Sequence, residues 1–160
     1  MKKIVILGGG TAGTMMSAKL SRALETTEWE ITVVDKDNKH LYQPGLLFVP
    51  FGMYEPREIS KPRDRFIPDG VKLVFGDIDR SAPDENKVYM QDGPTLDYDF
   101  LIISTGTRIV PEETDGLLGE AWHKSIFDFY TLEGATRLAD FFHQWKGGRM
   151  VLNVVEMPIK

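Results

Sequence analysis

The chain has 160 residues, of which 42% are hydrophobic and 27% charged, and its formal net charge is −5 at pH 7. These values are ordinary for a globular protein of one domain, or of one domain and part of a second. Because non-specific nucleic-acid binding needs a basic surface, we expect no nucleic-acid partner. No apolar run approaches the roughly 18 residues of a membrane-spanning helix, and the N-terminal apolar run is too short for a secretory signal. We therefore expect a cytoplasmic protein.

The chain contains no cysteine and three histidines. A disulfide framework, a thiolate zinc site and a cysteine nucleophile are therefore excluded within this sequence. His40, His123 and His143 show none of the spacings that are typical of metal ligands. We predict no metal site.

The first 35 residues predict a βαβ unit. Residues 3–7 form a short β-branched run of the kind that is buried in a parallel sheet, and residues 31–34 form a second such run. Between them, residues 11–26 have helical periodicity. The apolar face of this predicted helix consists of Met16, Leu20, Ala23 and Leu24. A strand, a glycine turn, a helix and a second strand in this order define the unit.

The turn between the first strand and the helix, residues 8–13, fits the pattern G-x-G-x-x-G. In this pattern the first glycine permits a tight turn, the second lets the backbone approach a pyrophosphate, and the third lets the helix pack closely on the strand. Asp35 follows the second strand, where it can accept hydrogen bonds from an adenosine ribose. The predicted binding residues are Gly8, Gly9, Gly10, Thr11, Ala12, Gly13 and Asp35. The alternative is a glycine-rich turn with an unrelated surface aspartate.

The middle of the chain decides between FAD and NAD, which the glycine motif alone does not. Five prolines between positions 44 and 68 forbid a long regular helix, and the apolar residues 46–51 fit a short helix or a lining segment. Strands are predicted over residues 71–75 and 100–104, and a hairpin over 87–90 and 95–98. Thr105 and Gly106 end the last of these strands. An NAD dehydrogenase would normally continue with alternating helices and strands, so this interruption favours FAD.

The composition changes after Gly106. Residues 107–119 resemble a linker, and their acidic cluster fits either a solvated segment or a proton relay. A helix is predicted over 125–145, ended by Gly147 and Gly148, and a strand over 150–155. The apolar stripe of this helix is Leu132, Ala135, Leu138, Ala139 and Phe142. The predicted fold class is α/β: a Rossmann-like FAD-binding domain with a parallel sheet and a small β-hairpin insertion over 1–110, then a linker, helix and first strand of an incomplete second domain over 111–160.

Two segments resemble known flavoproteins. The run Leu-Ile-Ile-Ser-Thr-Gly at 101–106 resembles the second FAD motif of flavoproteins with two dinucleotide-binding domains. The runs at 40–47 and 50–52 resemble sulfide:quinone oxidoreductases and their flavocytochrome c sulfide dehydrogenase and type II NADH dehydrogenase relatives. The tail at 154–160 is similar to a segment after which sulfide:quinone-type proteins place a redox cysteine. The resemblance covers essentially the whole chain but only the N-terminal portion of such an enzyme.

The resemblance assigns roles to particular residues. It gives the pyrophosphate to residues 8–13, and it gives the adenosine ribose to Asp35 with Lys36 beside it. Gln43 and Pro44 match positions near the ribityl chain and the flavin ring. Asp77 and Ile78 match the place where backbone groups meet adenine, and Gly106 approaches FAD by its backbone. It implies no catalytic residue in this chain.

The missing cysteines limit what the resemblance implies. Covalent attachment of FAD in the flavocytochrome c relatives uses a cysteine, so we expect non-covalent FAD. Sulfide oxidation uses a cysteine pair beside the flavin, which is expected beyond Lys160, so this chain alone is expected to be inactive. For the full-length protein the resemblance implies sulfide and a membrane quinone as partners, with peripheral membrane association. A homo-oligomer is compatible with it.

The electron donor and acceptor stay open at this point. NADH-using relatives place a second G-x-G-x-x-G after the strand that opens their second nucleotide domain, whereas the predicted strand at 150–155 leads to Glu156 and Pro158. This difference favours a quinone-type partner over NADH. The alternatives are the N-terminal part of a type II NADH dehydrogenase-like or other FAD-dependent reductase, and a non-catalytic nucleotide-binding module.

Overall fold

A four-stranded parallel sheet forms the centre of the molecule, whose computed structural model describes residues 1–154. Its strands are β1 (Lys2–Leu7), β2 (Trp29–Asp35), β5 (Lys72–Phe75) and β9 (Phe100–Ile103), in the order β5-β2-β1-β9. The other strands are β3 (Lys39–Leu41), β4 (Ser60–Pro62), β6 (Ile78–Ala82), β7 (Lys87–Met90) and β8 (Leu96–Asp97). The helices are α1 (Thr11–Ala23), α2 (Pro56–Ile59) and α3 (Leu132–Gln144). This architecture is the α/β class with a parallel sheet that the sequence predicts.

Alternate residues of the central strands enter two separate cores. Ile4 and Ile6 of β1 pack with the apolar face of α1, which includes Met16 and Leu20. Val5 and Leu7 pack on the opposite face, against β7 and β8. The parallel sheet is therefore covered on both sides, which explains why β1 and β2 read as continuous apolar runs. Ala23, predicted on the buried face, is exposed because it lies in the last turn of α1, beyond the edge of this contact.

The predicted hairpin is present and has a third strand. β7 and β8 pair antiparallel, with Val88 opposite Leu96. β6, which the sequence did not indicate, pairs with the other edge of β7 and contains a register shift between Ile78 and Arg80. An irregular strand with mostly exposed residues lacks the alternation by which sequence patterns are recognised.

The strand β9 corrects a prediction about burial. It was expected to be buried, but Phe100 and Ile103 are 52% and 67% exposed. β9 lies at the edge of the sheet beside β1, so it has a neighbouring strand on one side only. An apolar run of four residues has the same pattern at an edge as at the centre of a sheet, and the sequence could not distinguish them.

The proline-rich segment folds into short elements, as its prolines require. It contains the antiparallel pair β3–β4, helix α2, and 3₁₀ helices at Gln43–Leu47, Val49–Phe51 and Arg63–Phe66. Leu46, Val49 and Ile59 form a third core with Ala135 of α3. Helix α3, the helix of the predicted incomplete domain, thus packs on the segment that follows β2. The division of the chain at residue 110 stays a prediction.

Helix α3 begins later than the sequence predicts, at Leu132 rather than residue 125. The carboxylate of Asp128 accepts hydrogen bonds from the backbone N–H groups of Tyr130 (3.0 Å) and Thr131 (2.7 Å), which fixes a turn before the helix. Thr131 is the N-cap, and its hydroxyl oxygen accepts from the N–H of Gly134 at 3.0 Å. Side-chain bonds to the backbone competed here with helical periodicity. The helix also ends at Gln144, before the predicted glycine pair.

Replacing the N-cap Thr131 with alanine is expected to destabilise the protein by about 1 kcal/mol, because the N–H of Gly134 loses its acceptor. A chain of this size should then lose roughly 2–4 °C in melting temperature. The control is Thr95→Ala, which removes a hydroxyl from an exposed position outside the strands. Thermal denaturation followed by circular dichroism measures both variants. Equal melting temperatures for the two variants would contradict the capping role.

The strand predicted over 150–155 is wrong for the residues that the structure describes. Residues 150–154 form neither helix nor strand, and Val155 lies outside the described residues. A strand requires a neighbouring strand to pair its backbone groups, and residues 150–154 pair with none in the described part of the chain. The sequence-based argument for a quinone partner over NADH used this predicted strand, so the strand no longer supports it.

Candidate dinucleotide-binding site

The glycine turn, residues 8–13, lies where β1 ends and α1 begins, and two of its glycines are required by contact with backbone. Gly8 has φ +91°, and a Cβ there would lie 2.3 Å from the carbonyl oxygen of Ser104. A Cβ on Gly13 would lie 1.8 Å from the carbonyl oxygen of Gly8. These positions let α1 and the end of β9 pack closely against the turn, as the motif predicts.

Gly10 differs from these two glycines because the space beside it is open. No atom lies within 4 Å of the position that its Cβ would occupy. Gly10 is also the N-cap of α1 and provides no side-chain cap, and the first turn of the helix contains no acidic residue. The first N–H groups of a helix have no intrahelical partner and carry a partial positive charge. An open space beside such groups fits the pyrophosphate of a dinucleotide.

Asp35 lies beside the glycine turn at the end of β2. Its Oδ2 accepts a hydrogen bond of 2.7 Å from the N–H of Gly9, and its Oδ1 accepts one of 2.8 Å from the N–H of Lys36. The Asp35 side chain is 15% exposed, so it still reaches solvent. The structure thus brings together the glycines and the acid that the sequence predicts.

Arg63 is the residue of this site that the sequence did not indicate. Its side chain is 5% exposed, and its Nη1 lies 3.0 Å from Oδ2 of Asp35. The same guanidinium donates to the backbone carbonyls of Gly9, Asp37 and Lys39. One arginine among prolines and other charged residues is ordinarily a surface residue, so no pattern in the sequence could have identified it.

Ser104, directly after β9, forms hydrogen bonds with the end of β1 and the glycine turn. Its hydroxyl oxygen lies 2.9 Å from the carbonyl oxygen of Leu7 and 2.8 Å from that of Gly8. Its N–H donates to the same Leu7 carbonyl at 2.7 Å. Gly106, two residues later, has φ +75° and open space around it, so only a glycine adopts this backbone without strain. The Thr-Gly strand end therefore lies next to the turn.

The remaining predicted residues lie at the periphery. Gly76 and Asp77 directly follow β5. The N–H of Gly76 donates to the carbonyl of Asp35 at 3.0 Å, and the N–H of Gln91 donates to the carbonyl of Asp77 at 2.9 Å. This segment is therefore close to the end of β2, and Ile78 begins β6 directly after it. Gln43 and Pro44 begin a 3₁₀ helix and are exposed. Among the described residues, neither Gln43 nor Pro44 forms a hydrogen bond with the glycine turn.

The acidic cluster after Gly106 is solvent-exposed at Glu112. A backbone hydrogen bond and a hydrogen bond from Arg108, whose Nη1 lies 3.0 Å from Oε1, lower the pKa of the Glu112 carboxyl. A carboxylate that stays ionised in solvent is poorly suited to delivering protons, which favours the solvated-segment interpretation for this residue. Among residues 1–154, no group of side chains could hold a metal ion, and no helix is long and apolar enough to cross a membrane.

A family model described as pyridine nucleotide-disulphide oxidoreductase matches residues 2–142. The chain belongs to this family of FAD-dependent oxidoreductases. The match extends from β1 through most of α3. It agrees with the resemblance to flavoproteins with two dinucleotide-binding domains.

Two relatives within the pyridine nucleotide-disulphide oxidoreductase family show the range of activities to which this chain is similar. A mitochondrial sulfide:quinone oxidoreductase of Dictyostelium discoideum is 29% identical over 153 residues, which are 96% of this chain and 34% of that protein. A type II NADH:quinone oxidoreductase of Staphylococcus aureus is 29% identical over 123 residues, 76% of this chain and 30% of that protein. The chain thus spans about a third of the length of these relatives.

This chain has the same fold as the matched part of a solved structure, the sulfide:quinone oxidoreductase from Aquifex aeolicus. The TM-score is 0.73 at 22% identity, and the match covers 90% of this chain and 32% of that one.

Proposed function

We propose that this chain binds FAD non-covalently at the glycine turn, as the N-terminal portion of an oxidoreductase of the sulfide:quinone type. The observation that supports FAD binding most directly is the open space at Gly10, with the carboxylate of Asp35 held beside the same turn. Gly8 and Gly13 have no such space, because backbone fills it. A pyrophosphate can therefore approach the backbone closely at Gly10, the glycine that the motif assigns to this contact.

Each part of the site has a role in this proposal. The first N–H groups of α1, at Thr11, Ala12 and Gly13, donate to the pyrophosphate, and Gly10 leaves room for it. Asp35 accepts from the adenosine ribose, with Lys36 beside it. Asp77 and Ile78 meet adenine. Gln43 and Pro44 lie near the ribityl chain and the flavin ring, and Gly106 approaches FAD by its backbone. When bound, the flavin supplies the electron transfer, while this chain binds and orients it and contributes no catalytic residue.

Sulfide as donor and a membrane quinone as acceptor are proposed for the longer protein. The similarity to the Dictyostelium sulfide:quinone oxidoreductase extends over 96% of this chain, against 76% for the staphylococcal NADH:quinone oxidoreductase. The identities are equal at 29%, so the type II NADH dehydrogenase stays the second candidate. A quinone acceptor is common to the names of both relatives and implies contact with a membrane surface.

Asp35→Asn is expected to weaken FAD binding by about 1.5–3 kcal/mol, since a hydrogen bond to a charged acceptor is lost while the side chain keeps its size. FMN has no adenosine ribose, so its affinity should not change. Titration of the purified chain, followed by flavin fluorescence, measures both ligands. The control is Asp140→Asn, which changes an exposed aspartate on α3.

The same titration tests the proposal as a whole. Saturable binding of FAD by the unmodified chain supports it. A chain that acquires no visible flavin absorbance after reconstitution with FAD would contradict the proposal. Equal FAD affinities for the unmodified chain and Asp35→Asn would remove Asp35 from the ribose site.

A further inference from the structure

Arg63 is buried at the centre of the site although the charged residues around it in sequence are exposed. Lys61, Asp64 and Arg65 all face solvent, whereas the Arg63 side chain is 5% exposed. Burial of a guanidinium costs free energy unless each of its N–H groups finds an acceptor. An arginine in this environment therefore needs an explanation in terms of what it contacts.

The guanidinium of Arg63 donates to three backbone carbonyls and lies beside two carboxylates. Its Nε donates to the carbonyl of Asp37 at 3.0 Å, and its Nη2 donates to the carbonyl of Lys39 and lies 3.8 Å from Oδ1 of Asp37. Its Nη1 donates to the carbonyl of Gly9 and lies 3.0 Å from Oδ2 of Asp35. One side chain thus joins the glycine turn to the end of β2 and to the start of β3.

These contacts also decide which oxygen of Asp35 remains free. Oδ2 accepts a hydrogen bond from the N–H of Gly9 at 2.7 Å and lies 3.0 Å from Nη1 of Arg63, so this oxygen is turned toward these two groups. Oδ1 accepts only the N–H of Lys36 in the described structure, at 2.8 Å, so one acceptor position is left. Rotation of the carboxylate would break the hydrogen bond from Gly9 and separate the ion pair with Arg63.

We propose that Arg63 is the positioning residue for FAD binding: it locks the Asp35 carboxylate and the Gly9 peptide so that the free position of Oδ1 is presented to the adenosine ribose. The inference rests on the proposed FAD site and deepens it. Arg63 acts through Asp35 and Gly9 and does not itself contact the cofactor. Its side chain is buried and already donates to three backbone carbonyls, so we assign it no contact with a phosphate.

The positioning role predicts a coupling between two residues. Arg63→Met should weaken FAD binding by about tenfold or more, since coupled neighbours commonly interact by an amount of this size. In the Asp35→Asn background, where the carboxylate is already lost, Arg63→Met should weaken FAD binding by clearly less than in the unmodified chain, and the remaining loss is the part that acts through Gly9. The matched control is Arg65→Met, which removes an exposed arginine from the same 3₁₀ helix.

A second variant covers the case in which Arg63→Met does not fold. Arg63→Lys keeps the positive charge but cannot form the forked contacts of a guanidinium, so it should also weaken FAD binding, although less than Arg63→Met. Amide NMR spectra of the chain without ligand give an independent readout. The signals of Gly9 and Lys36 should move in Arg63→Lys and stay in place in Arg65→Met.

The outcomes separate this inference from the proposed function. A chain that does not bind FAD in its unmodified form would overturn both. If the unmodified chain binds FAD and Arg63→Lys binds it equally well, the positioning role is wrong and the FAD site stands. If the arginine substitution weakens binding as much in the Asp35→Asn background as without it, Arg63 does not act through Asp35 and the positioning role is wrong.

Discussion

Replacing Gly13 with alanine is expected to lower the free energy of unfolding by at least about 2 kcal/mol, because the new Cβ overpacks a site that cannot expand. That Cβ would lie 1.8 Å from the carbonyl oxygen of Gly8 and 2.9 Å from the hydroxyl oxygen of Ser104. The carbonyl belongs to the backbone between β1 and α1, so relief requires the helix to move away from the sheet. The alanine itself gains about 1 kcal/mol in helix propensity, which is smaller than the cost of the clash.

Thermal denaturation of the chain without ligand measures this effect, and the melting temperature should fall by roughly 4–8 °C or more. The matched control is Gly10→Ala, three positions earlier, where no atom lies within 4 Å of the added Cβ. Its cost should not exceed about 1 kcal/mol, the loss expected when alanine replaces glycine at an N-cap. A melting temperature of Gly13→Ala at or above that of the unmodified chain would show that helix propensity, and not close packing, governs this position.

Gly10→Val is expected to weaken FAD binding by about a hundredfold or more, equivalent to roughly 2.7 kcal/mol. The valine side chain would occupy the open space in front of the first turn of α1 and shield its N–H groups from a pyrophosphate. The backbone of Gly10, with φ −70° and ψ −160°, is accessible to any L-residue, so the fold should persist. Loss of binding with little loss of stability is the combination that identifies a ligand-contacting glycine.

FAD titration and thermal denaturation, made on the same preparations, test this expectation. Gly119→Val is the control, since a Cβ there meets one atom at 3.7 Å, an ordinary contact, in a turn outside the helices and strands. Its FAD affinity should equal that of the unmodified chain. Retained affinity in Gly10→Val would mean that the pyrophosphate does not lie at this turn.

The sequence alone determined the βαβ unit and the position of its glycine turn. Buried parallel strands appear as short β-branched runs, and an amphipathic helix has a period that no other element shares. Gly8 and Gly13 are identified because only glycine tolerates the backbone contacts that a strand–helix turn of this kind imposes. The hairpin β7–β8 was also predictable, since its two strands are separated in the chain only by a short run of turn-forming residues. These features are local, so a local pattern is sufficient.

Features that depend on distant contacts were decided by the tertiary structure. Arg63 is buried because the chain returns after β3 and β4 to place it under the glycine turn, 54 residues from Gly9. Phe100 and Ile103 of β9 are exposed because β9 is an edge strand, and α3 begins at Leu132 because Asp128 holds the preceding turn. Residues 150–154 have strand-like composition but no neighbouring strand in the described part of the chain. Burial of a charge, the edge of a sheet and the pairing of a strand are each set by neighbours that are remote in sequence, which is why composition and periodicity do not reveal them.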